Sequence, residues 1–228
     1  QLMLCIRDRI YIGMFLKVVK TSLLFCSSGL VGGHLLNQLI KDTNYSKIKL
    51  FVRSVPEIND PKVEIIKTDF NNLQNHKEDI KGDDCFFCIG TTKKNSPDKD
   101  EYKRVELDIP KEVAKIAKSN LVNSFIFVSA LYANPKSSGD YVRFKGLVEE
   151  ELKELNFPKL GIMRPSFLIG NRKEKRVSET IGIFVFKLLS PLLLGPLKKM
   201  KPIHSETVAK AMIAVIQKDI QQTIFESN

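Results

Sequence analysis

Short strand-like runs alternate with helix-like segments along most of this chain, and this alternation is the feature that most constrains its fold. The predicted strands are short apolar runs, and the predicted helices have apolar residues at helical spacing. The strands are Ser22–Cys26, Ile48–Val52, Val63–Ile66, Cys85–Ile89, Ser124–Ser129, Lys159–Met163 and Thr223–Glu226; the helices are Leu30–Ile40, Glu101–Ser119, Tyr141–Leu155 and Ser205–Ile216, the last with Ser205 as its N-cap. Such alternation is typical of βαβ units, so we expect an α/β fold with a single doubly wound parallel sheet.

The turn between the first strand and the first helix carries two glycines. Gly29 and Gly32 occupy the last two glycine positions of a G-x-x-G-x-x-G pattern, and Cys26 stands at the first. Glycine lets the backbone approach a pyrophosphate, and the helix N-terminus adds unpaired N–H groups and a positive dipole end. Packing alone also places glycines at such turns, but the strand before and the helix after favour a dinucleotide site.

The second strand ends in a positive residue where NAD-binding folds carry an acidic one. In those folds an Asp or Glu about 20 residues past the turn holds the ribose 2′-hydroxyl. Here the strand ends in Arg53, whose planar guanidinium suits a 2′-phosphate. We therefore expect NADP(H) to be favoured over NAD(H); the alternative is a solvated arginine at a strand end.

The helix after the fifth strand carries a tyrosine and a lysine on one face. Tyr141 and Lys145 are four residues apart, about one helical turn. A tyrosine exchanges protons poorly near neutral pH unless a nearby cation stabilises its phenolate, and a lysine one turn away supplies that cation. The spacing predicts an acid/base pair, and the lysine is also placed to hold the nicotinamide ribose.

In chain order, these features resemble the short-chain dehydrogenase/reductase superfamily. The similarity is strongest to its atypical short branch, which includes the Tat-interacting-protein-like oxidoreductases and the NmrA-like NAD(P)H-binding proteins, and it covers residues 18–227. The motifs that carry it are Gly29-Leu30-Val31-Gly32, Asp69-Phe70, Phe87-Cys88-Ile89-Gly90-Thr91-Thr92, Val128-Ser129, Ala133-Asn134-Pro135-Lys136-Ser137-Ser138, Tyr141-x-x-x-Lys145-Gly146 and Arg164-Pro165-Ser166.

The resemblance implies a Rossmann-like fold with NAD(P) lying across the carboxyl edge of the strands. It implies Tyr141 as the general acid/base, Lys145 as its partner and Ser129 as the catalytic hydroxyl. The cofactor-binding residues that it implies are Ser27, Ser28, Gly29, Leu30 and Val31 at the diphosphate, Arg53 at the ribose phosphate, Asp69 and Phe70 at the adenine, Gly90, Thr91 and Thr92 along the middle, and Lys145, Pro165 and Ser166 near the nicotinamide.

Two departures from the family pattern keep three functions open. Cys26 replaces a glycine of the tight turn, and Ala130 follows Ser129 where relatives often carry a second serine. The first function is an NADP-dependent oxidoreductase that transfers hydride between a carbonyl and an alcohol. The alternatives are a non-catalytic NADP(H)-binding regulatory or redox-sensing protein, which both departures favour, and an enzyme like a sugar-nucleotide epimerase or dehydratase.

The positive charge of the chain is confined to two segments. The net charge is +10, of which residues 1–20 carry +3 and residues 171–202 carry +6. We expect residues 1–17 to be an N-terminal extension, and residues 18–228 to be one dinucleotide-binding domain. In that domain residues 171–202 form a small, basic and partly apolar substrate segment or lid. Such a segment suits a small apolar or anionic substrate. One alternative is contact with an anionic membrane surface. The alternative without a binding function is a packed helix pair with solvated lysines. Nucleic-acid binding is not expected, because no motif for it is present.

The remaining chemistry-bearing residues predict little. Cys85 and Cys88 form a C-x-x-C pattern inside an apolar strand, where residues three apart point to opposite faces, so we expect two small buried side chains. The three histidines lack metal-ligand spacing, so no metal is expected. No run of 18 apolar residues is present, and we expect a cytoplasmic location.

Overall fold

The structure is a computed structural model, which describes residues 19–170, 199–218, 220 and 222–227. Its strands are β1 (Lys20–Phe25), β2 (Tyr45–Val52), β3 (Val63–Lys67), β4 (Asp84–Phe87), β5 (Ser124–Val128), β6 (Lys159–Arg164), β7 (Leu168–Ile169), β8 (Ile203–His204) and β9 (Ile224–Glu226). Its helices are α1 (Leu30–Lys41), a 3₁₀ turn (Leu73–His76), α2 (Lys99–Lys103), a π-helical turn (Arg104–Asp108), α3 (Ile109–Ser119), α4 (Asp140–Glu154) and α5 (Ser205–Gln217).

The described strands form one parallel sheet and a short two-stranded pair. The sheet has seven strands in the order β3-β2-β1-β4-β5-β6-β9, and all of its neighbouring strands are parallel. The order reverses between β1 and β4, which is the switch point where open α/β sheets bind ligands. The predicted α/β fold, with a single Rossmann-like parallel sheet, is confirmed.

The two faces of the sheet bury two separate apolar clusters, because successive strand residues point to opposite sides. On one face, Phe87 and Phe127 pack with residues of α3 and α4. On the other face, Phe86 and Ile126 pack with residues of α1 and α5. Cys85 belongs to the first cluster and Cys88 packs against the second, so the expected opposite orientation of these cysteines is confirmed.

One local prediction is wrong, and one predicted helix is present but contains a change of helical geometry. Ser205 is the first residue of α5 rather than its N-cap, and its hydroxyl donates to the Ile169 carbonyl at 3.2 Å instead of capping the helix. The single helix predicted for residues 101–119 is interrupted by the π-helical turn Arg104–Asp108. A π turn adds a residue to the helical repeat and rotates the side chains that follow it, and such turns are frequent at functional sites.

Part of the sequence interpretation lies outside the described residues. This applies to the N-terminal extension, residues 1–17, and to residues 171–198 of the expected lid segment. Within the described part of the chain, no helix has the length and apolar character needed to cross a membrane.

Candidate functional site

The predicted site residues gather at the carboxyl edge of the sheet, because most of them lie in loops that leave the strands there. Residues 27–29 follow β1, and Arg53 follows β2. The other groups are Asp69 and Phe70 after β3, Gly90, Thr91 and Thr92 after β4, Ser129 after β5, and Pro165 and Ser166 after β6. Tyr141 and Lys145 come to the same edge on the first turns of α4, which lies beyond the loop after β5.

The turn after β1 is held tightly against the start of α1. Cys26 has a φ of 73°, a left-handed conformation that costs a side-chain-bearing residue about 1–2 kcal/mol. A Cβ on Gly32 would lie 2.0 Å from the Cys26 carbonyl oxygen, so only glycine fits there. Gly29 is the N-cap of α1 and supplies no side-chain cap, and the first turn has no acidic residue. The first N–H groups of α1 are therefore suited to an anion such as a diphosphate.

The residues predicted for the adenosine end differ in how accessible they are. Arg53 is exposed, and no described residue forms a hydrogen bond or ion pair with it. Asp69 is exposed, and its carboxylate accepts from the N–H and the side-chain amide of Asn71, which lowers its pKa. Phe70 has a φ of 62°, and its buried ring packs near Phe25 at 6.5 Å between centroids. An adenine would therefore meet the backbone of Phe70 rather than its ring.

An ion pair that the sequence did not predict lies under the tyrosine. The Lys145 ammonium is 3.0 Å from Glu106 Oε2, and the two side chains are 4% and 0% exposed. Lys145 also donates to the Val128 carbonyl at 3.3 Å, and its Nζ is 6.0 Å from the ring centroid of Tyr141. Tyr141 is 41% exposed. The pair thus presents an accessible phenol above a buried ammonium.

The same carboxylate fixes the loop after β4. The Thr91 N–H donates to Glu106 Oε1 at 2.5 Å, and a Cβ on Gly90 would lie 3.4 Å from that oxygen. The Thr91 hydroxyl is hydrogen-bonded to Ser96 at 2.9 Å. Thr92 is half-buried, and its hydroxyl accepts from the Asn95 N–H at 3.3 Å. Glu106 therefore connects Lys145 to the loop expected to follow the middle of the cofactor.

The environment keeps Lys145 charged. Burial is the largest single effect and lowers the pKa of Lys145, but the charge and hydrogen bond of Glu106, together with nearby Tyr141 and Cys88, outweigh it, so the pKa of Lys145 lies above its ordinary value. The Tyr141 phenol contributes in the same direction.

A close backbone contact sets the position of α4. A Cβ on Gly146 would lie 2.3 Å from the Pro135 nitrogen and 2.4 Å from the Asn134 carbonyl carbon. The Asn134 N–H also donates to the Val142 carbonyl at 3.1 Å. The glycine that follows Lys145 therefore lets the loop after β5 pack directly on the helix that carries the acid/base pair.

The hydroxyl of Ser129 is engaged by a buried carboxylate rather than left available for a substrate. It is buried and donates to Glu149 Oε1 at 2.5 Å. Arg164 holds the same carboxylate through two contacts of 2.9 and 2.5 Å. The prediction that Ser129 acts on a substrate carbonyl therefore conflicts with this geometry, because its proton is engaged in a buried network. The next residue, Ala130, has no hydroxyl to replace it.

The residues expected near the nicotinamide are fixed by backbone contacts. The Pro165 carbonyl accepts from the Leu131 N–H at 3.1 Å. The Ser166 hydroxyl donates to the Lys201 carbonyl, and its N–H donates to Ser227 Oγ at 3.1 Å. Ser166 is thus bound to Lys201, near the end of the expected lid segment, and to Ser227, so its hydroxyl is engaged by a backbone carbonyl.

Sequence reasoning missed two buried acids, Glu106 and Glu149. Each lies on a helix and faces a basic residue that is distant in sequence. Glu149 is four residues after Lys145, which is a usable signal because residues one turn apart share a helix face. Glu106 had no such signal, because an uninterrupted helix with Val105 on its apolar face turns the next residue away from that face.

These features define a Rossmann-fold dinucleotide-binding protein, with a glycine turn at the switch point and a tyrosine–lysine pair at the same edge of the sheet. The residues present fit the cofactor: α1 offers N–H groups that no side chain caps, and a Cβ on Gly29, at the start of the helix, would meet nothing nearer than Cys26 Sγ at 3.9 Å. A family model described as NAD(P)H-binding matches residues 27–219, and the chain belongs to that family. The resemblance expected from the sequence is thereby confirmed.

Curated relatives extend the comparison. The chain is 30% identical over 205 residues to Protein FMP52-1, mitochondrial, from Scheffersomyces stipitis, with 86% of this chain and 88% of that protein covered. It is 30% identical over 169 residues to Protein HTATIP2 from Rattus norvegicus, with 72% and 69% covered. The expected cytoplasmic location is wrong by this comparison, because FMP52 proteins of several organisms carry the word mitochondrial in their names.

Solved structures show the same fold at low sequence identity. UDP-N-acetylglucosamine 4-epimerase from Methanobrevibacter ruminantium M1 matches with a TM-score of 0.67 and 20% identity, covering 89% of this chain and 74% of that one. Vestitone reductase from alfalfa matches with a TM-score of 0.64 and 14% identity, covering 92% and 76%. At these identities the likeness concerns the fold alone.

Proposed function

We propose that this protein is an NADP(H)-dependent oxidoreductase that interconverts a carbonyl and an alcohol. The observation that carries the proposal is the partly exposed Tyr141 side chain beside the buried Lys145 ammonium, at the carboxyl edge of the sheet in a chain of the NAD(P)H-binding family. The nicotinamide supplies or accepts the hydride when bound. In the reducing direction Tyr141 Oη gives its proton to the nascent alkoxide, and in the oxidising direction it takes the proton back.

The other residues of the site position this step. Lys145 stabilises the phenolate left after proton transfer, and Glu106 keeps the lysine protonated and in place. Because Ser129 is engaged with Glu149, the substrate oxygen has Tyr141 as its hydrogen-bond donor in this proposal. Oxyanion stabilisation by a second donor commonly contributes about 10²–10³-fold in rate. We therefore infer slower turnover than in relatives with a second serine.

The preference for NADP(H) is part of the proposal. Arg53 supports it, since its guanidinium is exposed directly after β2, has no partner among the described residues and has the charge and shape that suit a 2′-phosphate. Asp69, the acid at the end of the next strand, is already hydrogen-bonded by Asn71. The small substrate is proposed to be apolar or anionic, because the 171–202 segment is partly apolar and carries a net positive charge.

A carbonyl panel tests the activity. The purified full chain is incubated with NADPH and with aldehydes, ketones and a UDP-sugar. Oxidation of NADPH is followed by the loss of the absorbance of its reduced nicotinamide. Tyr141→Phe is expected to abolish turnover while NADPH binding remains. Tyr132→Phe removes the hydroxyl of another exposed tyrosine at this edge and serves as the matched control. A substrate turned over equally by wild type and Tyr141→Phe would refute the mechanism.

A second candidate is an NADP(H)-binding protein without turnover. The specific observation in its favour is the buried Ser129–Glu149 hydrogen bond next to Ala130, which leaves this edge without the usual catalytic hydroxyl. NADPH binding with no turnover across the panel would favour this candidate over the first.

A mitochondrial location is proposed from the names of the FMP52 relatives. Fractionation of cells that express the full protein with a C-terminal tag tests it. Recovery with a mitochondrial matrix or membrane marker is expected, and recovery in the cytosolic fraction alone would contradict it.

A further inference from the structure

Two cysteines become neighbours at the switch point of the sheet. β1 pairs with β4 there, with Phe25 opposite Phe87, and the Cys88 N–H donates to the Phe25 carbonyl at 3.1 Å. Continued by one residue, this register places Cys26 opposite Cys88. Neighbouring strands lie about 4.8 Å apart, and a disulfide needs Cα atoms about 4.4–6.8 Å apart, so the backbone spacing fits a disulfide.

Both thiols lie on the sheet face that α1 covers. Cys88 packs against the cluster that contains Leu24 and Phe86. Cys26 Sγ lies 3.5 Å from Ser28 Oγ and 3.9 Å from the position of a Cβ on Gly29, at the start of α1. Burial raises the pKa of the Cys88 thiol, and negative charge on Cys26 raises it further, as is expected of two groups that lie close together.

The C-x-x-C partner of Cys88 is placed differently. Cys85 is fully buried in the cluster on the opposite face, so a bond between Cys85 and Cys88 would require β4 to unfold. Cys26 and Cys88 are both free thiols that are partly accessible to solvent. Among the three cysteines that the structure describes, the pair that oxidation can join is therefore the one across the strands.

We propose that Cys26 and Cys88 form a reversible disulfide that weakens dinucleotide binding. A peroxide oxidises the Cys26 thiol to a sulfenic acid and is itself reduced to water or an alcohol. The Cys88 sulfur then attacks the Cys26 sulfur and displaces water. The two thiols together lose two electrons and two hydrogens, and a dithiol reductant restores them by exchange.

The contacts of Cys26 explain why this bond would affect the cofactor. A Cβ on Gly32 would lie only 2.0 Å from the Cys26 carbonyl oxygen, so the Cys26 backbone packs directly on the first turn of α1. Drawing Cys26 Sγ from Ser28 towards β4 therefore moves the turn that presents the α1 N–H groups. Loss of one charge-assisted hydrogen bond to the diphosphate weakens binding by about tenfold. This effect on affinity rests on the proposed function, but disulfide formation does not.

Peptide mapping tests the bond itself. Full-length protein is treated with a few equivalents of hydrogen peroxide, free thiols are blocked, and the disulfides are mapped by mass spectrometry without reduction. A Cys26–Cys88 peptide is expected in wild type and in Cys85→Ala, and it must be absent from Cys88→Ser and Cys26→Gly. Cys26→Gly gives a folded control, since glycine accepts a φ of 73° without strain. Oxidation that joins other cysteines, or that leaves Cys26 and Cys88 unlinked, overturns the proposal.

NADPH fluorescence titration tests the consequence on the same samples. The dissociation constant is expected to rise about tenfold or more in oxidised wild type and to recover with dithiothreitol, with no response to peroxide in Cys88→Ser. A mapped Cys26–Cys88 bond with unchanged NADPH affinity overturns the regulatory role. If reduced protein does not bind NADPH, the proposed function fails, whereas the mapping still decides whether the disulfide forms.

Discussion

Replacement of Glu106 by glutamine is expected to destabilise the protein strongly. Glu106 and Lys145 are almost completely buried and lie 3.0 Å apart. Removing one partner of a buried ion pair typically costs about 3–5 kcal/mol, because the other charge is left without compensation. Glu106→Gln keeps an oxygen for the Thr91 N–H, so the loss comes from the charge. For a chain of this size, about 3 kcal/mol lowers Tm by roughly 6–12 °C.

The destabilisation is expected to depend on pH, with a sign set by Lys145. In wild type the pKa of Lys145 is raised by Glu106, so its stabilising contribution is present below the unfolded-state pKa and is lost as pH rises through the folded-state value. In Glu106→Gln the contributions of Glu106 are lost, and burial, the largest single effect on Lys145, is expected to outweigh the smaller effects of Tyr141 and Cys88 and to lower the pKa of Lys145. Stability of the variant then increases as pH rises towards the unfolded-state pKa of about 10.4. The difference from wild type is therefore larger at pH 7 than at pH 9.5.

Urea unfolding at the two pH values measures these effects. The matched control is Glu206→Gln, which breaks an exposed helical ion pair with Lys210 and is expected to cost less than about 1 kcal/mol. The double variant Glu106→Gln/Lys145→Met is expected to be more stable than Glu106→Gln alone, because no buried charge remains. A loss below about 1 kcal/mol in Glu106→Gln, or no gain in the double variant, would refute the reasoning.

Two further substitutions test buried contacts at the two edges of the sheet, Asp84 at the amino edge and Gly146 at the edge that carries the candidate site. Asp84→Asn is expected to cost about 2 kcal/mol in urea unfolding, because the buried Asp84 carboxylate accepts from the Tyr45 hydroxyl at 2.8 Å; a change below about 0.5 kcal/mol would contradict this. Gly146→Ala forces a Cβ to within 2.4 Å of the Asn134 carbonyl carbon and is expected to cost about 1–3 kcal/mol and to lower turnover by displacing α4. Gly139→Ala, whose Cβ has no contact shorter than 3.8 Å, is its control, and equal Tm values for the two variants would contradict the packing argument.

The strand and helix positions could be predicted because each buried element carries its own periodic pattern. Lys159–Arg164 and Ser124–Val128 are apolar runs next to turn signals, and the predicted bounds differ from them by one residue. The turn after β1 could be predicted for the same reason, since glycines between a strand and a helix are local signals. The parallel direction of the strands could be predicted from the alternation of strands and helices, because right-handed crossover connections allow only a few arrangements of such elements.

The charged pairs could not be predicted, because they join residues far apart in sequence. Glu106 reaches Lys145 through a π turn that the apolar pattern does not reveal. The hydrogen bond from Ser129 to Glu149 depends on how α4 packs against β5, which the local sequence does not specify. Likewise, the position of Cys26 next to Cys88 depends on the register of β1 and β4, which the C-x-x-C pattern does not reveal.

The most direct test of the central claim is a fluorescence titration of the reduced full chain with NADPH and with NADH. An exposed Arg53 facing a 2′-phosphate is expected to make NADPH bind at least about tenfold more tightly, which corresponds to about 1.4 kcal/mol. Arg53→Ala is expected to remove most of that difference and to leave NADH affinity unchanged. Tighter binding of NADH, or no binding of either dinucleotide, would contradict the claim that this chain carries an NADP(H) site.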